Sequence, residues 1–205
     1  MSRLLKRTQL LLAAAVTCLS LTAHAAAKVN QAAPDFNLTS AAGEQVQLSD
    51  YQGKYVILEW TNHDCPFVKK HYSSDNMQGL QKKYADQDVV WLSVISSAPG
   101  KQGYVDATAA NKLTTERGAA PAQVLFDPDG KVGKQYGAKT TPHMYIVKPD
   151  GVLAYAGAID SIKSTDPADI PAATNYVVQA MDELAAGKSV SSPLTKPYGC
   201  SVKYM

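Results

Sequence analysis

One cysteine of this 205-residue chain stands where a reactive thiol is expected. Residues 56–72 read VILEWTNHDCPFVKKHY, an apolar run followed by a polar turn, Cys65, Pro66 and a basic stretch. Pro66 suits the first position of a helix, where its missing N–H costs nothing, so Cys65 falls at the N-cap. Unpaired N–H groups and the helix dipole favour thiolate there, and the Lys-Lys-His of residues 69–71 could add positive potential. The pattern predicts a strand that delivers a nucleophilic, low-pKa thiol to a helix start.

A free cysteine is also often a small buried hydrophobe with no chemical role. The residues around Cys65 argue against that alternative, because Asn62, His63, Asp64 and Pro66 are typical of loops and helix caps. We therefore interpret Cys65 as the nucleophile.

Alternation of apolar residues and turn signals predicts the elements around this site. Strands are expected at 56–60, 89–95 and 122–126, a short hairpin within 28–52, and an antiparallel hairpin from 144–147 and 152–156. Helices are expected from Pro66, with an interruption at 73–76, and over 104–117, 131–136 and 175–186. The segment 191–205, with its prolines and glycine, predicts an irregular tail that carries Cys200.

The first 25 residues have the pattern of a signal peptide. A basic start (Arg3, Lys6 and Arg7) precedes an apolar run over 10–21 and an Ala-His-Ala cleavage signal that ends at Ala25. The apolar run is too short to favour a membrane span. We expect a periplasmic or secreted protein with no stable membrane insertion after cleavage.

Loss of the leader changes the charge and the cysteine count. The whole chain has 20 Lys and Arg against 18 Asp and Glu, and the leader removes three basic residues, which leaves 17 against 18, or −1. Without a basic stripe, no nucleic-acid partner is expected. Cys18 also leaves, so Cys65 and Cys200 remain, in a compartment where disulfides persist.

The segment around Cys65 resembles the active site of the thioredoxin-like superfamily. Cys65 aligns with the first cysteine of the C-x-x-C motif, Trp60 with the preceding aromatic and Glu59 with the buried acid, whereas Val68 stands in place of the second cysteine. The segments APDFNL, SSAPGKQGY, LFDPDGKVGKQYGAKTTPHMYIV and TKPYGCSVKY resemble exported redoxins of the AhpC/TSA type, related to peroxiredoxins and TlpA-like proteins. The resemblance implies an α/β, thioredoxin-like fold: a central mixed sheet flanked by helices, with an N-terminal hairpin. It places a redoxin domain at 26–190 and a tail at 191–205.

The same resemblance assigns further site residues. Thr141-Pro142 matches the cis-proline loop of that family, which faces the nucleophile and whose backbone pairs with the substrate. An ordinary tight turn before a strand would have the same sequence pattern. Substrate contacts are expected from Thr141, Trp60, His143 and Pro66. His143 is expected beside Cys65, where it could act on the thiol or be an ordinary solvated histidine.

Glu59 lies in an apolar strand, which predicts one of two roles. If its carboxyl is buried, its pKa is raised and it could accept and return a proton near neutrality. If the side chain points outward, it is simply solvated.

Three chemistries fit these residues. The first two require no cofactor, and the third requires a bound copper ion. In the first, Cys65 attacks a disulfide and Cys200 or an external thiol resolves the product. In the second, Cys65 attacks a hydroperoxide, but Leu58 and Asn62 replace the proline and threonine of the peroxiredoxin motif P-x-x-x-T-x-x-C. In the third, Cys65 holds copper with His63 or His143 in a binding module; a degenerate redoxin that only binds a partner is a further alternative.

We therefore expect an exported thiol–disulfide oxidoreductase acting on a protein or small-molecule disulfide or thiol, with no metal site. Cys65 is the expected nucleophile, supported by Glu59 and Pro142, and Cys200 is its expected partner within one chain. The rival expectation is that Cys200 anchors the tail elsewhere or pairs between subunits.

Overall fold

The structure is a computed structural model and describes residues 26–205. The expected signal peptide, residues 1–25, lies outside the described residues. Among residues 26–205, no helix combines the length and apolar character needed to cross a membrane.

A seven-stranded mixed sheet forms the centre of the fold. Its strands are β1 (Asn37–Ser40), β2 (Gln45–Gln47), β3 (Val56–Trp60), β4 (Val90–Ile95), β5 (Gln123–Phe126), β7 (His143–Val147) and β8 (Leu153–Gly157). They lie in the spatial order β2-β1-β5-β4-β3-β7-β8. β3 is an interior strand, because it pairs in parallel with β4 and antiparallel with β7. A separate pair joins β6 (Thr140–Thr141) to β9 (Cys200–Ser201).

Within residues 26–205, five α-helices flank the sheet: α1 (Pro66–Ser73), α2 (Asn76–Ala85), α3 (Ala107–Glu116), α4 (Lys131–Tyr136) and α5 (Tyr176–Ala185). Short 3-10 turns occupy Leu48–Tyr51 and Pro167–Ala172. The predicted interruption after Pro66 is confirmed, since α1 ends at Ser73 and α2 begins at Asn76. Asp75, between them, has a φ of 57°, which breaks the helical path.

Alternation along β3 divides the core between two faces of the sheet. Val56, Leu58 and Trp60 pack on one face with residues of α4 and β7. Ile57 packs on the other face with residues of α2 and α5. All five residues of β3 are buried, as expected of a strand with a packed layer on each side. The mixed sheet, its flanking helices and the hairpin of β1 and β2 confirm the predicted α/β class.

The C-terminal tail is more ordered than its prolines and glycine predict. Thr195 Oγ1 accepts a hydrogen bond from Ala158 N–H (2.9 Å) and shares one with Tyr155 Oη (2.6 Å). Tyr204 Oη donates to Ala138 O at 2.7 Å. Between these two anchors the tail forms β9, so Cys200 has a defined place in the fold.

Candidate active site

Cys65 occupies the N-cap of α1, as the sequence predicts. Its backbone is extended (φ −69°, ψ 124°), and Pro66 takes the first helical position. Its carbonyl accepts the first helical hydrogen bonds, from Val68 N–H at 3.0 Å and Lys69 N–H at 2.9 Å. The side chain is fully buried, at 0% exposed. The thiol therefore lies at the positive end of α1 but under a cover.

Part of that cover is the loop that carries Thr141. Cys65 Sγ donates a hydrogen bond to Thr141 O at 3.1 Å, across 76 residues of sequence. The Thr141-Pro142 peptide bond is cis, which confirms that prediction. The carbonyl before Pro142 thus meets the sulfur directly, whereas Pro66 is exposed at the edge of the site.

The tail supplies the other part of the cover. β9 runs antiparallel to β6, and Cys200 pairs in register with Thr141, whose carbonyl contacts Cys65 Sγ. Both cysteines are free thiols. The structure therefore brings Cys65 and Cys200 together, although β6 and β9 lie far apart in sequence.

The pKa values of the two thiols are shifted in opposite directions. Burial raises the pKa of Cys65, but hydrogen bonds from the thiol and backbone N–H of Cys200 and from Val68 outweigh it and leave the pKa below its usual value. Burial, the hydrogen bond with Cys65 and the charge of Cys65 raise the pKa of Cys200 to about 11. Of the two thiols, Cys65 is therefore the one that loses its proton at the lower pH.

Glu59 is buried, which decides between its two expected orientations. It is 0% exposed and accepts hydrogen bonds from Tyr72 Oη (3.0 Å), Trp91 Nε1 (3.0 Å) and Ser93 Oγ (3.1 Å). Burial raises the pKa of its carboxyl, while the hydrogen bonds from Trp91 and Tyr72 oppose the shift. Neither sulfur is among its hydrogen-bond partners, so any proton transfer to Cys65 would need an intermediary.

We expect Glu59 to make stability pH-dependent. The pKa of the Glu59 carboxyl is higher in the folded protein than the value near 4.5 that is expected in the unfolded chain. Glu59 therefore contributes its full share of the folding free energy below about pH 4.5, and that share is lost as pH rises through the pKa of the folded state. Glu59→Gln removes this titration, so the free energy of unfolding of the wild type should fall relative to the variant as pH rises from 4 to 8. Urea unfolding at each pH measures the difference; a difference that stays constant with pH would contradict the buried carboxylate.

Trp60 and His143 are buried while the tail covers the site, so their contact with a substrate stays a prediction. Trp60 is 0% exposed, and its Nε1 donates to Ser96 Oγ at 3.0 Å. His143 packs on Tyr145, and its Nδ1 lies 3.0 Å from Tyr145 Oη. Burial, together with the charge of Lys139, lowers the pKa of His143 to about 3. Both side chains belong to the core beneath the site, because the strands that carry them are covered on both faces.

Two basic residues of α1 are buried, so they do not act as an exposed positive patch. Lys70 Nζ lies 3.5 Å from Asp160 Oδ2, and His71 Nε2 lies 3.8 Å from the same oxygen. Asp160 also accepts a hydrogen bond from Tyr198 Oη. Burial lowers the pKa of His71 to about 4, although Asp160 opposes the shift. No sequence pattern indicates Asp160 and Tyr198, which tie the tail to the helix that begins at Cys65.

The residues of the peroxidase and copper alternatives have other contacts. Asn62 is buried; it donates to Gln102 O at 3.2 Å and accepts from Asp64 N–H at 2.9 Å. His63 Nε2 lies 3.5 Å from Asp64 Oδ2. Across residues 26–205, no group of three or more His, Cys, Asp and Glu side chains is placed to hold a metal ion.

The chain is similar to known proteins. The AhpC/TSA family profile matches residues 29–156. The chain is 31% identical over 123 residues (60% of this chain and 67% of the relative) to the thioredoxin-like protein YneN of Bacillus subtilis. It is 27% identical over 134 residues (65% and 82%) to a protein of Coxiella burnetii named as a peroxiredoxin, bcp.

Solved structures share the fold. A conserved protein from Geobacillus kaustophilus, described as uncharacterized, superposes with a TM-score of 0.73 at 25% identity, over 87% of this chain and 93% of that one. A Chlorobium tepidum protein described as a thiol:disulfide interchange protein, DsbE, superposes with a TM-score of 0.52 at 25% identity, over 64% and 85%. The fold is therefore thioredoxin-like, with a cysteine at the start of α1.

Proposed function

Because this chain belongs to the AhpC/TSA family, we propose that it is a thiol–disulfide oxidoreductase in which Cys65 is the nucleophile and Cys200 the resolving thiol. The observation that carries the proposal is the juxtaposition of the two thiols around Thr141. The substrate is a disulfide of a protein or small molecule. The leader-like residues 1–25 support export to a compartment where such disulfides persist.

The first step uses the acidity of Cys65. Its thiolate attacks one sulfur of the substrate disulfide, the substrate S–S bond breaks, and the other sulfur leaves as a thiolate that takes a proton from solvent. The lowered pKa of Cys65 raises the fraction of thiolate that is present at a given pH. Its product is a mixed disulfide between Cys65 and the substrate.

The second step uses Cys200. Once Cys65 is bonded to the substrate it carries no charge, so the two influences of Cys65 that raise the pKa of Cys200 disappear. Cys200 then loses its proton more readily and attacks Cys65 Sγ, which releases the reduced substrate and forms a Cys65–Cys200 disulfide. Two electrons pass from the cysteine pair to the substrate, and the reverse sequence oxidises a dithiol.

Peroxidase activity is the competing proposal, and the relative named as a peroxiredoxin is what favours it. Against it, Leu58 lies in the core and Asn62 is held by Gln102 and Asp64, so neither faces the sulfur as a peroxide-binding group. We expect slow reaction with peroxide for that reason.

Stopped-flow mixing of the reduced protein tests this choice. The rate constant with a small disulfide should exceed that with hydrogen peroxide by at least about tenfold and should follow the thiolate fraction of Cys65 as pH rises. Cys65→Ser serves as the blank for both reagents. Fast peroxide-driven turnover that depends on Cys65 would contradict the proposal and favour the peroxidase.

A further inference from the structure

We propose that the surface beneath the tail binds an extended segment of a partner protein in which glycine directly precedes the reacting cysteine. We call this surface the tail groove; it is formed by the edge of β6, Cys65, Phe67 and Asp160. In the reduced chain, tail residues 198–202 occupy it as an internal ligand. The inference rests on the proposed function and names its substrate class.

Main-chain pairing gives the tail groove its affinity. Thr140 pairs with Ser201 and Thr141 with Cys200, and Val202 N–H donates to Lys139 O at 3.1 Å. Such pairing uses backbone groups that every polypeptide has, so a partner segment can form the same ladder on β6. The tail shows which register places a cysteine against Cys65.

Gly199 shows why the residue before the cysteine must be glycine. A Cβ at this position would lie 2.0 Å from Thr141 O and 2.7 Å from Thr141 C, and both are backbone atoms. The φ of Gly199 is 138°, which L side chains rarely adopt. Any larger residue would push the segment away from β6 and its cysteine away from Cys65.

Tyr198 adds a second contact that an occupant can use. Its ring meets Phe67 edge-on, with centroids 5.7 Å apart, and its hydroxyl donates to Asp160. The residue is only 7% exposed. An aromatic side chain two places before the cysteine therefore fits the tail groove, and the preferred segment reads aromatic-Gly-Cys.

Cys65 cannot meet a partner cysteine while the tail is in place, because it is 0% exposed. A partner segment must first displace residues 198–202. Its cysteine then takes the position of Cys200, where the Cys65 thiolate attacks it as described above.

Two octapeptides with the sequence of residues 196–203 test the inference, one native and one with alanine in place of the glycine. Each carries thionitrobenzoate on its cysteine. In a full chain with Cys18→Ser and Cys200→Ser, Cys65 is the single thiol. Its thiolate attacks the peptide sulfur, the bond to thionitrobenzoate breaks, and the coloured thionitrobenzoate anion leaves with the electron pair, which gives the rate.

We expect the glycine peptide to react at least about tenfold faster than the alanine peptide, the factor that a backbone clash of this size implies. Adding Gly199→Ala to the chain should release the tail and speed the glycine peptide by a similar factor. Gly187→Ala is the matched control, because Gly187 also has a positive φ (69°) but has nothing within 4 Å of an added Cβ. Tyr198→Ala is a second way to release the tail.

Equal rates for the two peptides would overturn the inference, as would tail release that leaves the glycine peptide no faster. Reaction of Cys65 with a small aromatic disulfide distinguishes failure of this inference from failure of the proposed function. If that reagent reacts and the peptides are not distinguished, only the inference fails. If Cys65 does not react even with that reagent, the proposed function fails and the inference falls with it.

Discussion

A chain carrying Cys65→Ser is expected to lose disulfide exchange by at least about a thousandfold, to the uncatalysed background, because a serine hydroxyl does not replace the thiolate. Cys200 does not substitute, because burial, the largest cause of its raised pKa, remains in the variant, and because Cys200 begins a strand and lies at no helix N-terminus. A multiple-turnover assay with a small disulfide and an excess of thiol reductant measures the loss.

Cys200→Ser is the matched control for that variant. It retains Cys65 and should therefore complete the first step, but it should accumulate as a mixed disulfide because no second thiol lies beside Thr141. Intact-protein mass measurement detects the adduct. Equal activity of the Cys65→Ser chain and the wild type would contradict the role of Cys65.

Asp160→Asn is expected to reduce the free energy of unfolding by about 3–5 kcal/mol, because it leaves the charge of Lys70 buried without a carboxylate. Lys70 is 1% exposed, and its other contacts are the carbonyl of Ile162 at 3.3 Å and the hydroxyl of Ser164 at 3.5 Å. Neutral oxygens compensate a buried ammonium less well than an anion does. Urea unfolding at neutral pH measures the change.

A surface pair provides the control for this prediction. Asp182 lies 3.9 Å from Lys83 with both side chains largely exposed, so Asp182→Asn should cost no more than about 1 kcal/mol. Adding Lys70→Met to Asp160→Asn should recover part of the loss, because no buried charge then remains. A cost for Asp160→Asn as small as that of the control would show that the buried cluster does not hold the tail and α1 together.

The helices and strands of the site could be predicted from the sequence because each depends on residues that are close together in the chain. The apolar run of β3, the Cys65-Pro66 helix start and the break before Asn76 each depend on residues within a few positions of one another. The Thr141-Pro142 bond was predicted in the same way, although through resemblance to a family.

Contacts between distant segments could not be predicted from those patterns. The helix that carries Lys70 and His71 has lysine on both its exposed and its buried sides, so residue type does not show which side is buried. Their partner Asp160 lies about ninety residues away in the sequence. The pairing of Cys200 with Thr141 also depends on a tail whose prolines and glycine indicate irregular structure. Gly199, which indicates a loop in the sequence, is required by the close approach to β6.

The substrate contacts of Trp60 and His143 follow only from resemblance to a family, and they stay a prediction. Both lie in interior strands of the sheet, where each face is covered. The sequence pattern did not indicate that both side chains would be buried while the tail is in place.

Peptide mapping under non-reducing conditions tests most directly the claim that Cys65 and Cys200 form one redox pair. The protein is oxidised with a small disulfide, its remaining thiols are alkylated, and it is digested without reductant. We predict a linked peptide that joins the segment of Cys65 to the segment of Cys200 within one monomeric chain. Free, alkylated Cys200 beside an oxidised Cys65, or a Cys200–Cys200 link between two chains, would contradict the claim.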